Sequence, residues 1–323
     1  MSPKPSVCRE IEPALVAAAT GDASAGEAQR VDVHVRLCAP CREDFARYRA
    51  LEGVVETWGR APAAPGADVA EARERLTARL ADLRRRILAY RVFESPLGPI
   101  LIARSEDGVS LVEYLTGGRD LRHSCLARMA GVEPLEDVAE VETLYRELLE
   151  YLDGRRTRLD WPLDFRLARS DFHRTVLRAT AGIPYGAVTS YAGLASGIGK
   201  PAATRAVAQA LRWNPLPIVV PCHRVVGSSG ALVGYAGNKT GLKQRLLAVE
   251  GVRAVRAHHE LRLPLDAMYV QVPDGTAYCL PTCDWLAHDR PRRLVRFGTR
   301  MRAEAAGLEP CTDCRPDLHP LES

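Results

Sequence analysis

At 323 residues the chain is longer than one average domain and has room for two or three. Its apolar fraction of 46% and charged fraction of 26% are those of ordinary globular protein, and no apolar run is long enough to cross a bilayer, which excludes a membrane-spanning class. The formal charge of +4 decides little by itself, and the opening Met-Ser-Pro-Lys-Pro-Ser leads into a polar stretch unlike a secretory signal, so the expected location is the cytoplasm.

The first segment is a small unit that ends at Gly59–Gly66, where Arg-Ala-Pro-Ala-Ala-Pro carries no hydrophobic period and reads as a linker. After it, Val69, Leu76, Leu80, Leu83 and Ile87 recur at helical spacing, which predicts an amphipathic helix packed on a neighbour. From Tyr90 to Glu113 short apolar runs are broken by Ser95-Pro96-Leu97-Gly98 and Glu106-Asp107-Gly108, the pattern of hairpin strands. Helical spacing returns over Val138–Leu152, followed by a predicted strand through Leu163 to Phe165. Further helices are predicted over Asp171–Ala181, Ser190–Ser196 and Pro201–Arg212, the last opening on a proline. Gly197-Ile198-Gly199 between two of them makes a helix-turn-helix. A final helix spans Thr240–Val249.

Charge is uneven along this order. Between Pro201 and Arg256 stand Arg205, Arg212, Arg224, Lys239, Lys243, Arg245, Arg253 and Arg256 against the single acid Glu250. Such a segment suits a polyanion, or forms a solvated basic face. The nine cysteines also fall in order: Cys8, Cys38 and Cys41, then Cys125 and Cys222 alone, then Cys279, Cys283, Cys311 and Cys314. Without a secretory signal, C-x2-C and C-x3-C spacings point to metal-bound thiolates rather than to disulfides.

Cys222 lies beside His223 within Ile218-Val219-Val220-Pro221-Cys222-His223-Arg224-Val225-Val226-Gly227, expected as an apolar strand bounded by prolines. A thiol reacts as thiolate, and an imidazole is the usual means of making one at neutral pH. A carboxylate orienting that imidazole would complete a relay, with Glu250 as candidate. On a strand neighbouring side chains face opposite ways, so His223 would act through a water. The bland reading of a lone buried cysteine is a small core residue.

The Pro221-Cys222-His223-Arg224-Val225 stretch resembles the active site of the O6-alkylguanine-DNA alkyltransferases. Ile183 to Tyr191 is similar to that family's entry into its helix-turn-helix, and Ala202 to Val207 to its recognition helix. Asn214-Pro215 looks like its hinge, and Gly234-Tyr235 with Leu246 to Gly251 like its closing elements. The resemblance implies that Cys222 accepts the alkyl group, that His223 is its base and Glu250 that base's partner, and that Asn214 ties the helices to the active segment. It implies Tyr191 and Arg205 as the side chains that rotate and replace the damaged nucleotide, Arg212 and Arg224 as further DNA contacts, and Tyr191, Val225, Tyr235 and Ala236 as the base pocket. Ala236 departs from the family, where serine is common. Extruding a base costs a few kcal/mol, and the small Ala202, Ala203, Ala206 and Ala210 suit close approach to a minor groove, where little sequence is read. The expected partner is therefore double-stranded DNA with alkylated bases, O6-alkylguanine first and O4-alkylthymine second, and the expected turnover is one per molecule.

Near the N-terminus, His34, Cys38 and Cys41 form H-x3-C-x2-C with Cys8 upstream, a donor set that suits tetrahedral zinc. This segment resembles the small zinc domain of anti-sigma factors, which implies a sigma factor as partner; structural zinc alone is the other reading. Cys279, Cys283, Cys311 and Cys314 make a second four-ligand zinc site, similar to the metal-binding domain of the Ada adaptive-response proteins, which implies Cys279 as a methylphosphotriester acceptor. Leu280, where relatives usually have arginine, departs from that pattern and leaves a plain zinc knuckle open. Two zinc ions and no organic cofactor are expected. The expected fold is α+β: a ribonuclease-H-like subdomain (89–167) and a helical, winged helix-turn-helix-like catalytic domain (168–254), flanked by zinc domains at 1–58 and 265–320, with a linker and helix at 59–88. The competing class is a non-enzymatic damage sensor or anti-sigma-like regulator, opposed by the presence of Cys222, His223 and Glu250. A cysteine protease lacks its oxyanion motif here.

Overall fold

Helix α1 (Ser6–Thr20) is followed by α2 (Ala25–Leu37) and α3 (Ala39–Gly59). The turn into α2 is set by a capping box: Ser24 Oγ accepts the Glu27 N–H, and Glu27 Oε2 accepts the Ser24 N–H at 2.9 Å. Cys8, Ile11 and Leu15, at i, i+3 and i+7 on α1, bury one face against Val31 and Cys41. This computed structural model describes residues 6–59, 66–116, 118, 120–237, 239–257, 260–272, 275–288 and 294–321, so most of the expected linker lies outside the described residues. The chain forms two units, Met1–Arg79 and Leu80–Ser323. The break falls within α4 (Gly66–Arg86), whose Val69, Leu76, Leu80 and Leu83 are exposed. The expected helix is there.

In the second unit, β1 (Ile87–Phe93), β2 (Ile100–Ser105), β3 (Gly108–Tyr114) and β4 (Glu133–Glu136) form a sheet in the order β3-β2-β1-β4, antiparallel but for the β1/β4 pair. Strand β2 serves two cores through its period of two. Ile100 and Ile102 face α5 (Val138–Leu152), with its Val141, Leu148 and Tyr151, while Leu101 and Ala103 join Leu88, Leu111 and Leu126 on the other face. Asp137 caps α5 by accepting the Ala139 and Glu140 N–H groups. The strand expected through Leu163–Phe165 is instead a single bridge from Leu163 to Val109, then a tight helical turn over Phe165–Leu167. Asp164 accounts for the difference, because its carboxylate takes Ser105 Oγ at 2.7 Å, Ser110 Oγ at 3.0 Å and the Arg166 N–H, a local set of bonds that replaces a ladder.

Helix α6 (Asp171–Ala181) leads through β5 (Ala187–Ser190) into α7 (Tyr191–Gly197) and, after a turn over Pro201–Ala203, α8 (Thr204–Arg212). Helices α7 and α8 pack on each other and α8 on α6, which confirms the helix-turn-helix. The apolar run Ile218–Val220 is not a strand. Pro215, Pro217 and Pro221 supply no N–H for a ladder, and the chain closes in turns, with Val220 N donating to Leu216 O at 2.8 Å and Ile218 at φ 75°. Cys222–Arg224 is one short helical turn before β6 (Val225–Val226), and α9 (Thr240–Val249) follows.

The hairpin β7 (Val255–Ala257) and β8 (Glu260–Arg262) precedes β9 (Tyr269–Gln271), β10 (Ala277–Cys279), α10 (Asp284–His288), β11 (Val295–Phe297), α11 (Arg300–Ala305) and β12 (Glu309–Pro310). These strands do not stand apart from the helix-turn-helix part. One six-stranded sheet runs β12-β10-β9-β11-β5-β6, with β11 antiparallel on β5 (Thr189 opposite Val295, Ala187 opposite Phe297).

Gly108 opens β3 at φ 143°, and a Cβ there would stand 2.3 Å from the Pro162 carbonyl oxygen. Gly108→Ala should therefore lower stability by about 2 to 3 kcal/mol, read as a fall in the urea midpoint. An unchanged midpoint would show that the β3 edge relaxes freely.

Candidate active site

The site is assembled by the turn after α8. Asn214 Oδ1 accepts the Leu216 N–H at 2.9 Å, while its Nδ2 donates to Val220 O at 2.9 Å and lies 3.2 Å from Cys222 Sγ. One amide thereby fixes both the hinge and the thiol. Cys222 is 7% exposed, at the floor of a cavity of about 620 Å³. Tyr191, Arg205, Arg212, Tyr235 and Ala236 share its lining, so side chains expected in separate roles meet around one sulfur. Ala236 sits at φ 41°, a conformation that non-glycine residues rarely adopt. Arg205 and Arg212 are exposed on the α8 side.

Beneath the thiol lies a buried polar network. His223 Nε2 is 2.6 Å from Glu250 Oε1. Arg224 Nε reaches Glu250 Oε2 at 2.9 Å and its Nη2 reaches Oε1 at 3.0 Å. The Gly186 N–H donates to Oε2 at 3.0 Å, and the Tyr151 hydroxyl donates a short bond to Oε1. Burial alone would raise the Glu250 pKa, but the Arg224 charge and the hydrogen bonds of His223 and Arg224 outweigh it and keep the carboxyl below its ordinary range. Burial lowers the His223 pKa and Glu250 only partly opposes it, so the ring is neutral beside an anion. A carboxylate only accepts, so Nε2 carries the ring proton and Nδ1 keeps its lone pair. Nδ1 is buried without a hydrogen-bond partner. Burial raises the Cys222 pKa, opposed by Asn214 and by the charge of Lys243.

Two expectations are corrected here. Arg224, expected among the DNA contacts, is 6% exposed and bound to Glu250, Tyr151 and Ile183 O, because a carboxylate this deep requires a cation. Val225, expected at the pocket wall, is not among the residues lining this cavity; it pairs with Thr189 in β6, and its carbonyl accepts Lys243 Nζ at 2.6 Å. Sequence reasoning missed Lys243 as a site residue and counted it among the surface cations. Its ammonium is buried, also donates to Val233 O at 3.1 Å, and burial lowers its pKa to about 8. The signal was present, since Lys243, Leu246, Leu247 and Glu250 share one face of α9 at helical spacing. Tyr114, whose hydroxyl lies 2.8 Å from that of Tyr235, and Tyr151 were missed as well.

The two metal-ligand sets come together as expected. Ligand atoms of Cys8, His34, Cys38 and Cys41 lie within 4.8 Å of one another, as do those of Cys279, Cys283, Cys311 and Cys314. Cys8 Sγ is 3.7 Å from Cys38 Sγ and 3.8 Å from His34 Nε2, close to the roughly 3.8 Å that tetrahedral ligands about 2.3 Å from zinc would have. Cys125 stands apart, with its N–H on Glu113 and its thiol pushed up to about 12, first by burial. Among the described residues no helix is long and apolar enough to cross a membrane.

The family described as 6-O-methylguanine DNA methyltransferase matches in two parts, its ribonuclease-like domain at residues 88–165 and its DNA binding domain at 171–252. A zinc-finger family matches residues 8–42. The methylated-DNA–protein-cysteine methyltransferase of Methanosarcina acetivorans is 37% identical over 50% of this chain and 97% of its own length. The constitutive methylated-DNA–protein-cysteine methyltransferase of Bacillus subtilis is 37% identical over 50% and 95%. A solved structure of Mycobacterium tuberculosis OGT in complex with DNA is 34% identical, with 50% of this chain and 92% of that chain covered and a TM-score of 0.42.

Removing Arg224 leaves a buried carboxylate with one cation fewer, so Arg224→Gln should cost about 3 to 5 kcal/mol. Arg205→Ala, at an exposed position, should stay within about 0.5 kcal/mol of the parent. Denaturant unfolding of the two variants separates the roles, and equal, small losses would return Arg224 to the surface.

Proposed function

The chain belongs to the methylated-DNA–protein-cysteine methyltransferases, and on that premise we propose that Cys222 is the acceptor, His223 its base and Glu250 the anion that sets the base. The observation that carries this is the unpartnered Nδ1 of His223, left with its lone pair because Nε2 is committed to a carboxylate. The Cys222 thiol gives its proton toward Nδ1, through a water where the gap requires one. The thiolate then attacks the alkyl carbon on guanine O6. The C–O bond breaks, its electron pair stays on the base, and a proton returns to the released guanine. Net, one alkyl group moves to sulfur and one proton to the base. A neutral thioether has no charge to drive the reverse step, so each molecule acts once.

The cavity takes a flipped base against Tyr235 and the backbone near Ala236, while α8 supplies Arg205 and Arg212 to the duplex. The exposed Ala202 and Ala206 suit close approach of that helix. In this reading residues 89–167 and 168–254 make the alkyltransferase, and 1–58 and 265–320 carry one zinc ion each in thiolate sites suited to a reducing cytoplasm. When bound, each ion cross-links its unit and supplies no chemistry to Cys222. Cys279 is 1% exposed and is assigned to metal alone.

Incubation with a duplex holding one O6-methylguanine should add one methyl per chain, on the Cys222 peptide, and Cys222→Ser should add none. Native mass spectrometry of the same protein should show two zinc ions. Excess repair over protein would contradict the single turnover, and a methyl on Cys279 with methylphosphotriester DNA would overturn its structural assignment.

A further inference from the structure

The four-cysteine segment (265–320) reaches the relay from behind. Strand β11 runs along β5, and Thr189 Oγ1 adds a bond to Leu294 O at 2.9 Å. Immediately after β11, the Gly298 N–H donates to Gly186 O at 3.1 Å. Gly298 is pressed so closely that a Cβ there would meet Gly251 O at 2.8 Å. Arg302 on α11 then lies across the turn before β5: a Cβ on Gly186, at φ 72°, would meet Arg302 Cγ at 2.7 Å. Its guanidinium carbon stands 4.5 Å from the centre of the Tyr185 ring. Among the described residues no carboxylate pairs with Arg302, and its charge rests on that ring.

Tyr185 and Gly186 touch what holds Glu250. The Gly186 N–H is one of the carboxylate's donors. The Tyr185 ring stands edge-on to Tyr151 at 5.6 Å and 5.7 Å from the Arg224 guanidinium carbon, and both of those residues bond Glu250. The Tyr185 hydroxyl donates to Val249 O at 2.9 Å, one residue before Glu250. Gly298 presses on Gly251, one residue after it. The four-cysteine segment thus braces the Tyr185-Gly186 turn and the chain on the far side of Glu250.

We propose that Arg302 is a positioning residue for transfer at Cys222: clamped on Tyr185 and Gly186, it holds Glu250, and through Glu250 the His223 ring, in register with the thiol. The four-cysteine unit is then a working part of the acceptor site rather than a separate module. This rests on the reading of Cys222, His223 and Glu250 given above. A shift of about an ångström in a relay group is enough to slow a step roughly tenfold or more.

The test uses the 323-residue, zinc-loaded chain as wild type, Arg302→Ala and Arg302→Lys. Single-turnover methyl transfer is measured at saturating O6-methylguanine duplex, beside DNA affinity and the downfield imidazole proton signal of His223. R302A should transfer about tenfold more slowly, bind DNA as wild type and shift or broaden the His223 signal. R302K, which keeps a cation over the ring, should restore most of both. If R302A does not fold, Tyr185→Leu replaces it with the same expectations. Unchanged rate and signal in R302A overturn the proposal, as does equal loss in R302A and R302K together with lost thermal stability. Failure of the wild type to methylate Cys222 would sink the functional reading instead.

Discussion

A fully buried carboxylate governs this structure. Removing Glu250 from water costs several kcal/mol unless donors replace the solvent, and the fold supplies them from three distant segments: Tyr151 on α5, the Gly186 N–H before β5, and His223 with Arg224 after Pro221. Each donor serves the anion and is fixed by it. The same bonds that satisfy the carboxylate choose the tautomer of His223, and the tautomer decides which ring nitrogen keeps its lone pair. Stability and chemistry here are one network.

That network also explains why the site needs parts of the chain that never meet the thiol. The ribonuclease-like part contributes Tyr151 through a helix that packs on Ile100 and Ile102. The C-terminal strands extend the sheet that carries β5 and so back the turn presenting the Gly186 N–H. On the solvent side the demands differ. Arg205 and Arg212 are held out by α8, and the thiol floor is tied to that helix by the single amide of Asn214.

Local signals made much of this legible. Asp171–Ala181, Val138–Leu152 and Thr240–Val249 are helices with the expected bounds, since capping residues and the 3.6-residue period act within a few positions. Both ligand sets met as their spacing required. What failed to show was non-local or depended on proline. Ile218–Val220 has the composition of a strand, yet the flanking prolines deny it a ladder. Arg224 reads as one more cation until Glu250, 26 positions away, is placed against it. The pairing of β5 with β11, more than a hundred residues apart in the chain, leaves no mark in either strand.

The central claim is that His223 stands neutral, protonated on Nε2 toward Glu250, with Nδ1 free. Burial lowers its pKa from the ordinary 6.5, so the base should stay available as pH falls through 6.5 and be lost only below it. A ¹⁵N titration of the His223 imidazole in the unreacted protein tests this directly. The account predicts a pyrrole-type Nε2 and a pyridine-type Nδ1 that persist through the ordinary histidine range and change only at more acid pH. A ring that protonates at or above 6.5, or one whose proton sits on Nδ1, would contradict it.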